Sequence, residues 1–241
     1  DTFHALEMLG RLGCETWFNL GDKDLATHIY RTMRLRDGAT LTQVTAEIAY
    51  RLGVGWTILP MTDDTVRTWI ETTAGLIPFQ TYFVKNKAMD RILSIHYRGI
   101  ENASPTPQVV RSIREASLII ICPSNPIASI GPILGVPGIR DLIKNADARV
   151  LAVSPIVGGK AVRGPAAKMM SELGIDPSPL GVAELYHDIL DTIIIDNADA
   201  SYKEDIAAMG IDVVTTNTIM NTTVDKRALA RRCLEAAGIS G

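Results

Sequence analysis

Short apolar runs alternate with helical patterns throughout the second half of the sequence. Runs rich in apolar and β-branched residues predict strands at 118–122, 149–153, 192–196 and 212–215. The first three are apolar almost throughout, which is expected when helices cover both faces of a sheet. Helical patterns are predicted at 139–144, 164–173, 182–190, 203–209 and about 224–237. Strands that alternate with helices indicate βαβ units, so we predict an α/β fold with a parallel sheet.

The middle of the chain follows a different pattern. A helix predicted at 41–52 carries Val44, Ile48 and Leu52 on one face. Runs at 56–59, 66–71, 80–85 and 92–97 alternate apolar with polar residues, which is typical of antiparallel strands with one face in water. Two prolines at 105 and 107 then mark a boundary. We therefore predict that residues 36–104 form a smaller α+β insertion, and that 1–35 and 105–241 form the core.

The first residues also carry a helical pattern. Leu6, Leu9 and Leu12 recur at helical spacing, and Asp1 or Thr2 could cap that helix. Four parallel strands make a thin sheet, since sheets usually have about four to six strands. We therefore expect further strands upstream of Asp1, with a natural start exposed by processing as the alternative.

Charge and cysteine content narrow the class of protein. The 241 residues have a formal net charge of -3, and such a balance argues against a nucleic-acid partner. The three cysteines, Cys14, Cys122 and Cys233, are scattered, as expected for reduced thiols in a cytoplasmic protein. Neither a secretory signal pattern nor an apolar run near the ~18 residues of a membrane span is present in the sequence. We expect a cytoplasmic globular protein without a membrane partner.

Small polar residues and glycines follow all four predicted strands. Ligands of open parallel sheets bind outside the carboxyl ends of the strands, so these exits are candidates for one shared cleft. The candidate residues at the first exit are Ser124, Asn125, Pro126, Ser129 and Gly131, and those at the second are Gly158, Gly159, Lys160 and Arg163. The third and fourth exits are Asp196-Asn197-Ala198-Asp199 and Thr216-Asn217-Thr218.

Two interpretations of the first two exits remain open. Glycines allow backbone amides to approach an anion, and a lysine can neutralise phosphate charge. The P-loop pattern fails, because its glycine spacing is not met and because Ala161 stands where Ser or Thr is needed. The alternatives are an Asx-type turn at Ser124-Asn125-Pro126 and a flexible glycine turn at Gly158-Gly159.

Two acidic groups precede the parallel part of the chain. Asp24 shares a helix face with His28 and Arg31 if a helix begins near it, and Asp22 lies just before it. A helix cap with surface charges is the alternative. The adjacent carboxylates of Asp63 and Asp64, upstream of Thr68, could bind a cation or hold polar groups of a ligand, with an exposed acidic turn as the alternative. The four histidines are too scattered to indicate a metal site.

Four of these segments, taken together and in order, resemble the 2-phospho-L-lactate transferases. The segments are 20–32, 60–64, 123–134 and 154–165, and the resemblance continues from there to the C-terminal helix. It implies a Rossmann-like three-layer α/β fold with a mostly parallel sheet. The family's first strand, glycine-rich turn and acidic metal ligands are not found in these 241 residues. The resemblance therefore places the metal ligands upstream of Asp1.

The resemblance also implies an activity. Such enzymes move a 2-phospho-L-lactyl group, or in some bacteria a phosphoenolpyruvyl group, from a GDP-activated donor to a ribityl hydroxyl. The acceptor is 7,8-didemethyl-8-hydroxy-5-deazariboflavin, GMP leaves, and the product is a precursor of a deazaflavin coenzyme. The family uses Mg²⁺ and is usually a homodimer. A nucleotide-binding regulator of the same fold, or an inactive scaffold, is the alternative, and the three-carbon group of the donor stays open.

Site roles follow as hypotheses. We expect the donor's nucleotide and phosphates at Ser124, Asn125, Pro126, Ser129, Gly131, Gly158, Gly159 and Lys160. We expect the deazaflavin acceptor near Asp22, Asp24, His28, Arg31 and Thr68. Asp63 and Asp64 are the candidates for taking the proton from the acceptor hydroxyl, unless an upstream carboxylate does so.

Overall fold

Three helices occupy the first part of the chain in the computed structural model, which describes residues 1–162 and 164–239. They are α1 (His4–Arg11), α2 (Asp22–Arg36) and α3 (Leu41–Arg51). The α1 helix is capped from a distance, because the Asp22 carboxylate accepts the backbone N–H groups of His4 at 3.1 Å and Ala5 at 3.0 Å. The prediction that Asp1 or Thr2 caps α1 is therefore wrong.

A three-stranded antiparallel sheet follows. Its strands are β1 (Arg67–Thr72), β2 (Gly75–Pro78) and β3 (Ile92–Arg98), in the order β2-β1-β3. The strands predicted near β1 and β3 are confirmed, whereas β2 was not predicted. Ile70 and Ile92 are buried in the same hydrophobic core as the parallel part of the chain. The boundaries 36 and 104 of an insertion stay a prediction.

Two predicted strands in this region are wrong. Residues 56–59 form no strand, and Trp56 stands 85% exposed. Thr81–Lys85 forms a π-helical turn. Phe79 and Phe83, four residues apart, stack with ring centroids 5.7 Å apart. A contact between residues i and i+4 is typical of a helical backbone and not of a strand. Tyr82, between the two phenylalanines, is fully buried, and its inward position explains the apparent alternation at 80–85.

The second half of the chain alternates strands and helices. Its elements are α4 (Pro107–Arg114), β4 (Leu118–Ile121), α5 (Gly131–Gly135), α6 (Ile139–Lys144), β5 (Arg149–Val153), β6 (Ile156–Val157), β7 (Lys160–Ala161), α7 (Ala166–Glu172), α8 (Pro179–Tyr186), β8 (Thr192–Asp196), α9 (Lys203–Ala208), β9 (Asp212–Thr216) and α10 (Thr223–Ala236). The strands β4, β5, β8 and β9 pair in that order, all parallel. The predicted parallel sheet is confirmed, with helix ends that differ by a few residues.

Helices cover both faces of the parallel sheet. Successive residues of a strand point to opposite faces, so Leu151 and Val153 pack against Leu229 and Cys233 of α10. Residues between them, such as Ala152, belong to the larger core formed with helices on the other face. The arrangement is the three-layer α/β fold that the resemblance implies. Across the described part of the chain, no helix combines the length and the apolar character that a membrane crossing requires.

Candidate functional site: a cleft at the carboxyl ends of the sheet

A cleft opens where the strands β4, β5 and β9 end. Its volume is about 490 Å³, within the ~300–1,000 Å³ typical of small-molecule sites. The described residues that line it are Phe79, Phe83, Pro123, Ser124, Asn125, Ser129, Ser154, Pro155, Val162, Gly164, Pro165, Ala166, Thr218, Met220, Asn221 and Lys226. The cleft therefore lies at the edge of the sheet where open α/β folds bind ligands.

The loop after β4 is held by the side chain of Asn125. Its amide oxygen accepts the N–H groups of Ile127 at 2.9 Å and Ala128 at 3.0 Å, and its amide nitrogen lies 3.2 Å from the sulfur of Met169. Asn125 thus caps the π-helical turn Pro126–Ile130. Because its polar atoms are committed to the protein, Asn125 shapes the cleft, while Ser124 and Ser129 bring hydroxyl groups to its wall.

Gly131 is required by packing. A Cβ atom on this residue would overlap the hydroxyl group of Tyr97. That hydroxyl donates a hydrogen bond to the carbonyl oxygen of Ile127, and burial raises the pKa of Tyr97 to about 12, so it stays protonated. The Gly131 N–H donates to the Pro126 carbonyl oxygen. The Gly131 N–H therefore already has an acceptor within the protein. A contact of a phosphate with Gly131 or with the buried Pro126 stays a prediction.

Gly158 and Gly159 form the turn of the β6–β7 hairpin. Their φ angles are +56° and +71°, a left-handed conformation that glycine adopts without strain. The Gly158 N–H donates to both carboxylate oxygens of Asp199, at 3.0 Å and 3.1 Å. Gly158, Gly159 and Lys160 are exposed and do not line the described part of the cleft. Val162, two residues after Lys160, is the first residue after this turn that does. Arg163 lies outside the described residues.

Two buried carboxylates hold the residues around this part of the cleft, Asp196 through Thr218 and Asp199 through Gly158. Burial raises the pKa of Asp196, but hydrogen bonds from Ala198 N–H at 3.0 Å and from the Thr218 N–H and hydroxyl at 2.8 Å and 3.1 Å outweigh it and leave the pKa lowered. The pKa of Asp199 is raised, mainly because the side chain is buried. The hydrogen bond from the Gly158 N–H lowers this pKa, and the nearby charge of Asp196 raises it further. The sequence indicated only that polar residues follow β8. It did not indicate that the pKa values of these two neighbouring acids shift in opposite directions.

The cleft also contains residues that the sequence did not point to. Phe79 and Phe83 present a stacked aromatic surface, with ring planes 24° apart. Between them Tyr82 is buried, and the Lys168 ammonium lies 3.5 Å from its hydroxyl and 2.8 Å from the Glu172 carboxylate. This contact ties the aromatic turn to α7. The i, i+4 spacing of the two phenylalanines was the available signal.

Met220 and Asn221, in the loop before α10, and Lys226, near the start of that helix, also line the cleft. Thr222 caps that helix in a capping box with Asp225, whose carboxylate accepts the N–H groups of Asn221 at 3.1 Å and Thr222 at 2.7 Å. The sequence does not show that the start of α10 reaches the cleft, since that depends on how the helix packs.

The predicted acceptor residues of α2 do not join the cleft wall described above. Asp22 caps α1. A hydrogen bond with the Thr2 side chain, followed by those from the N–H groups of Ala5 and His4, lowers its pKa. Asp24 and His28 are exposed, and Arg31 Nη1 lies 3.1 Å from His28 Nδ1. Their contact with an acceptor stays a prediction, as does that of Thr68, which lies on β1.

Asp63 and Asp64 hold the backbone of the turn before β1. Asp63 accepts the N–H of Thr42, in the first turn of α3, at 2.6 Å. Asp64 accepts the N–H of Ser104 at 2.9 Å and the Thr62 hydroxyl at 3.0 Å. Both are exposed and lie outside the described cleft wall. The geometry explains both as structural hydrogen-bond acceptors, and a catalytic role for either stays a prediction.

A magnesium site does not fit the residues that the structure describes. Among them, no group of three or more His, Cys, Asp or Glu side chains is close enough to hold a metal ion. The oxygens of Asp196 and Asp199 already accept backbone N–H groups.

The parallel sheet and the cleft at its carboxyl ends define a Rossmann-like α/β protein with a small-molecule site. The family model described as "2-phospho-L-lactate transferase CofD" matches residues 3–233. The chain belongs to this family of transferases.

Individual relatives agree with that placement. The chain is 40% identical to a 2-phospho-L-lactate transferase of Methanosarcina mazei, with 98% of this chain and 77% of the relative covered. It is also 40% identical to one of Methanocaldococcus jannaschii, covering 99% and 76%. A phosphoenolpyruvate transferase of Streptomyces griseus is 39% identical, covering 98% and 76%. The family therefore includes proteins named for two different three-carbon groups.

Solved structures support the fold. A crystal structure of a Bacillus halodurans protein superposes with a TM-score of 0.63 at 17% identity, covering 88% of this chain and 71% of the other. A second crystal structure of the same protein, described as a member of the UPF0052 family, gives a TM-score of 0.59 at 18% identity, covering 86% and 71%. At such low identity the likeness concerns the fold.

Proposed function

We propose that the chain transfers a 2-phospho-L-lactyl or phosphoenolpyruvyl group from a GDP-activated donor to the ribityl hydroxyl of 7,8-didemethyl-8-hydroxy-5-deazariboflavin. GMP is released, and the product leads to a deazaflavin coenzyme. Membership of the family supports the reaction class. The observation that carries the proposal in the structure is one cleft that joins the polar Ser124 loop to the aromatic surface of Phe79 and Phe83.

The donor occupies the polar side of the cleft in this proposal. Ser124, Ser129 and Thr218 line that side, and hydroxyl groups both donate and accept hydrogen bonds. Such groups suit a nucleoside diphosphate, whose base, ribose and phosphates all need polar partners. Gly158, Gly159 and Lys160, on the hairpin next to this side, remain candidates for the outer phosphates.

The acceptor occupies the aromatic side. A deazaflavin ring is flat and apolar on its faces, and aromatic pairs stack offset or edge-to-face with a gain of about 0.5–1.5 kcal/mol beyond the buried area. The stacked rings of Phe79 and Phe83 offer that surface. An acceptor bound there would direct its ribityl chain toward the donor across the cleft.

The reaction is a displacement at phosphorus. A bond forms between the ribityl oxygen and the phosphorus that carries the three-carbon group, and the bond from that phosphorus to the oxygen of GMP breaks. The hydroxyl proton passes to a base. Asp63 and Asp64, proposed for this role from the sequence, lie outside the described cleft wall, so they can act only if the ribityl chain extends beyond that wall. Catalysis of this kind depends mainly on positioning and on stabilising charge, which a cleft with fixed loops can supply. Mg²⁺, a homodimeric state and a cytoplasmic location belong to the proposal as properties that the resemblance implies.

A binding titration separates this function from a nucleotide-binding regulator. The deazaflavin acceptor is fluorescent, so its binding can be followed directly in the presence and absence of GDP. We expect the protein to bind both molecules, and we expect Phe83→Ala to weaken only acceptor binding. Binding of GDP with no affinity for the deazaflavin would support the regulator. Parallel turnover assays with a phospholactyl and a phosphoenolpyruvyl donor decide the three-carbon group.

A further inference from the structure

The cleft needs a positive charge if it holds the phosphates of a nucleotide. A nucleoside diphosphate carries two or more negative charges near neutral pH, and a buried or confined anion requires a cation or aligned N–H donors. The helical turn beside the Ser124 loop would be the usual source of such donors.

The backbone N–H groups of that turn already donate to acceptors within the protein. Ile127 and Ala128 donate to the Asn125 side chain, at 2.9 Å and 3.0 Å. Ser129 and Ile130 donate to the Asn125 carbonyl oxygen, each at 3.0 Å. The start of the Pro126–Ile130 turn therefore has little capacity for an anion, and another group in the cleft must supply the charge.

Lys226 is the charged residue among the described residues that line the cleft. It lies near the start of α10, and Asn221, in the loop before that helix, also lines the cleft. Within the described chain, Lys226 makes no ion pair of 4.0 Å or less. Its neighbour Asp225 does not compete for the ammonium, because that carboxylate is turned onto the N–H groups of Asn221 and Thr222.

We propose that Lys226 binds the diphosphate of the nucleotide donor, with its ammonium reaching across the cleft toward the Ser124 and Ser129 hydroxyls. This inference rests on the proposed function, since it assumes that a nucleotide occupies the cleft. Lys226 is a binding residue in this account. A lysine suits the role because its flexible stem carries a compact charge that can follow a phosphate as it moves.

The position of Lys226 on α10 adds a second attraction. The amino end of a helix carries a partial positive charge that favours anions within the first turn. The Thr222 cap holds that first turn in place next to the cleft. The Lys226 ammonium and the amino end of α10 thus both favour an anion in the same region. The Thr222 side chain already accepts one of the free N–H groups at this end of the helix.

The test is the affinity for guanosine, GMP and GDP, measured by calorimetry for the wild type and for Lys226→Met. We expect Lys226→Met to weaken GDP binding about fivefold to tenfold, which corresponds to ~1–1.4 kcal/mol, and to leave guanosine binding unchanged. Lys226→Arg should retain most of the GDP affinity. Arg227→Met, which removes the same charge from the same helix outside the described cleft wall, is the matched control and should bind GDP as the wild type does.

The outcomes separate this inference from the function beneath it. If the wild type binds GDP and Lys226→Met binds it equally well, Lys226 is not the phosphate ligand and the proposed function stands. If Lys226→Met and Arg227→Met lose GDP affinity to the same extent, the effect is one of net charge and the inference is wrong. If the wild type binds none of the three ligands, the proposed function itself fails.

Discussion

The N–H of Gly158 donates to both carboxylate oxygens of Asp199, at 3.0 Å and 3.1 Å, and this contact fastens the β6–β7 hairpin to the exit of β8. The hairpin itself is short, with two residues in each strand. A hairpin of that size is marginal without an external anchor. Asp199 therefore holds the backbone that leads from β6 into the wall of the cleft.

The first prediction concerns this anchor. We expect Asp199→Ala to increase amide hydrogen exchange at Gly158 and Gly159, because the carboxylate that accepts the Gly158 N–H is lost. Asp199→Asn keeps one acceptor oxygen at the same place and should preserve most of the protection. Equal exchange in the wild type and in Asp199→Ala would show that the hairpin is held by other contacts.

The second prediction is a contrast in pH dependence between Asp196 and Asp199. The pKa of Asp196 is lowered in the folded protein, so its contribution to stability is present above the unfolded pKa, about 3.9, and is lost as pH falls through the folded pKa. The pKa of Asp199 is raised, so the folded protein loses stability as pH rises from the unfolded pKa through the folded value.

Denaturant unfolding of the two asparagine variants checks this contrast. We expect Asp196→Asn to cost most at neutral pH and progressively less on acidification. Relative to the wild type, Asp199→Asn should become more stable as pH rises above about 4. Parallel pH profiles for the two variants would contradict the assignment.

A third prediction tests the packing of Gly131 against Tyr97. We expect Gly131→Ala to lower the free energy of unfolding by about 1–3 kcal/mol, because the added methyl group meets the Tyr97 hydroxyl in a filled core. Gly55→Ala is the control, since a Cβ there meets nothing within 4 Å. In the background of Tyr97→Phe, the cost of Gly131→Ala should shrink. Additive costs in that double mutant would mean that the two residues do not meet as described.

The fourth prediction concerns the aromatic surface. We expect Phe83→Ala to weaken acceptor binding about threefold to tenfold, the loss of a stacking contact of ~0.5–1.5 kcal/mol, and to leave GDP binding unchanged. Phe18→Ala removes an exposed phenylalanine outside the described cleft wall and serves as the control. An equal loss for donor and acceptor would indicate that Phe83 supports the fold of the cleft and does not touch the ring.

The parallel sheet was predictable because its strands are short, three of the four are apolar almost throughout, and helices separate them. The run at 192–196, for example, is buried throughout and matches β8 residue for residue. The run at 80–85 misled because alternation over six residues also arises when one aromatic residue, Tyr82, points inward from a helical turn. The alternation of apolar and polar residues reports which side chains are buried. Burial alone does not distinguish a strand from a short helical turn.

The site was predictable in part. The loop at Ser124 could be located because it follows a buried strand. The contribution of Lys226 could not, because it depends on how α10 packs on the sheet about a hundred residues later in the chain. Asp22, Asp63 and Asp64 looked available for a ligand in the sequence, and the structure gives each carboxylate backbone N–H partners that no local pattern reveals.

The most direct test of the central claim is turnover by the purified protein. The GDP-activated phospholactyl and phosphoenolpyruvyl donors are each incubated with the deazaflavin acceptor and Mg²⁺, and the products are followed by mass spectrometry. We expect one donor to yield the acceptor linked to its three-carbon group through a phosphodiester, with one GMP released per product. Folded protein that binds both substrates but forms neither the linked product nor GMP would contradict it.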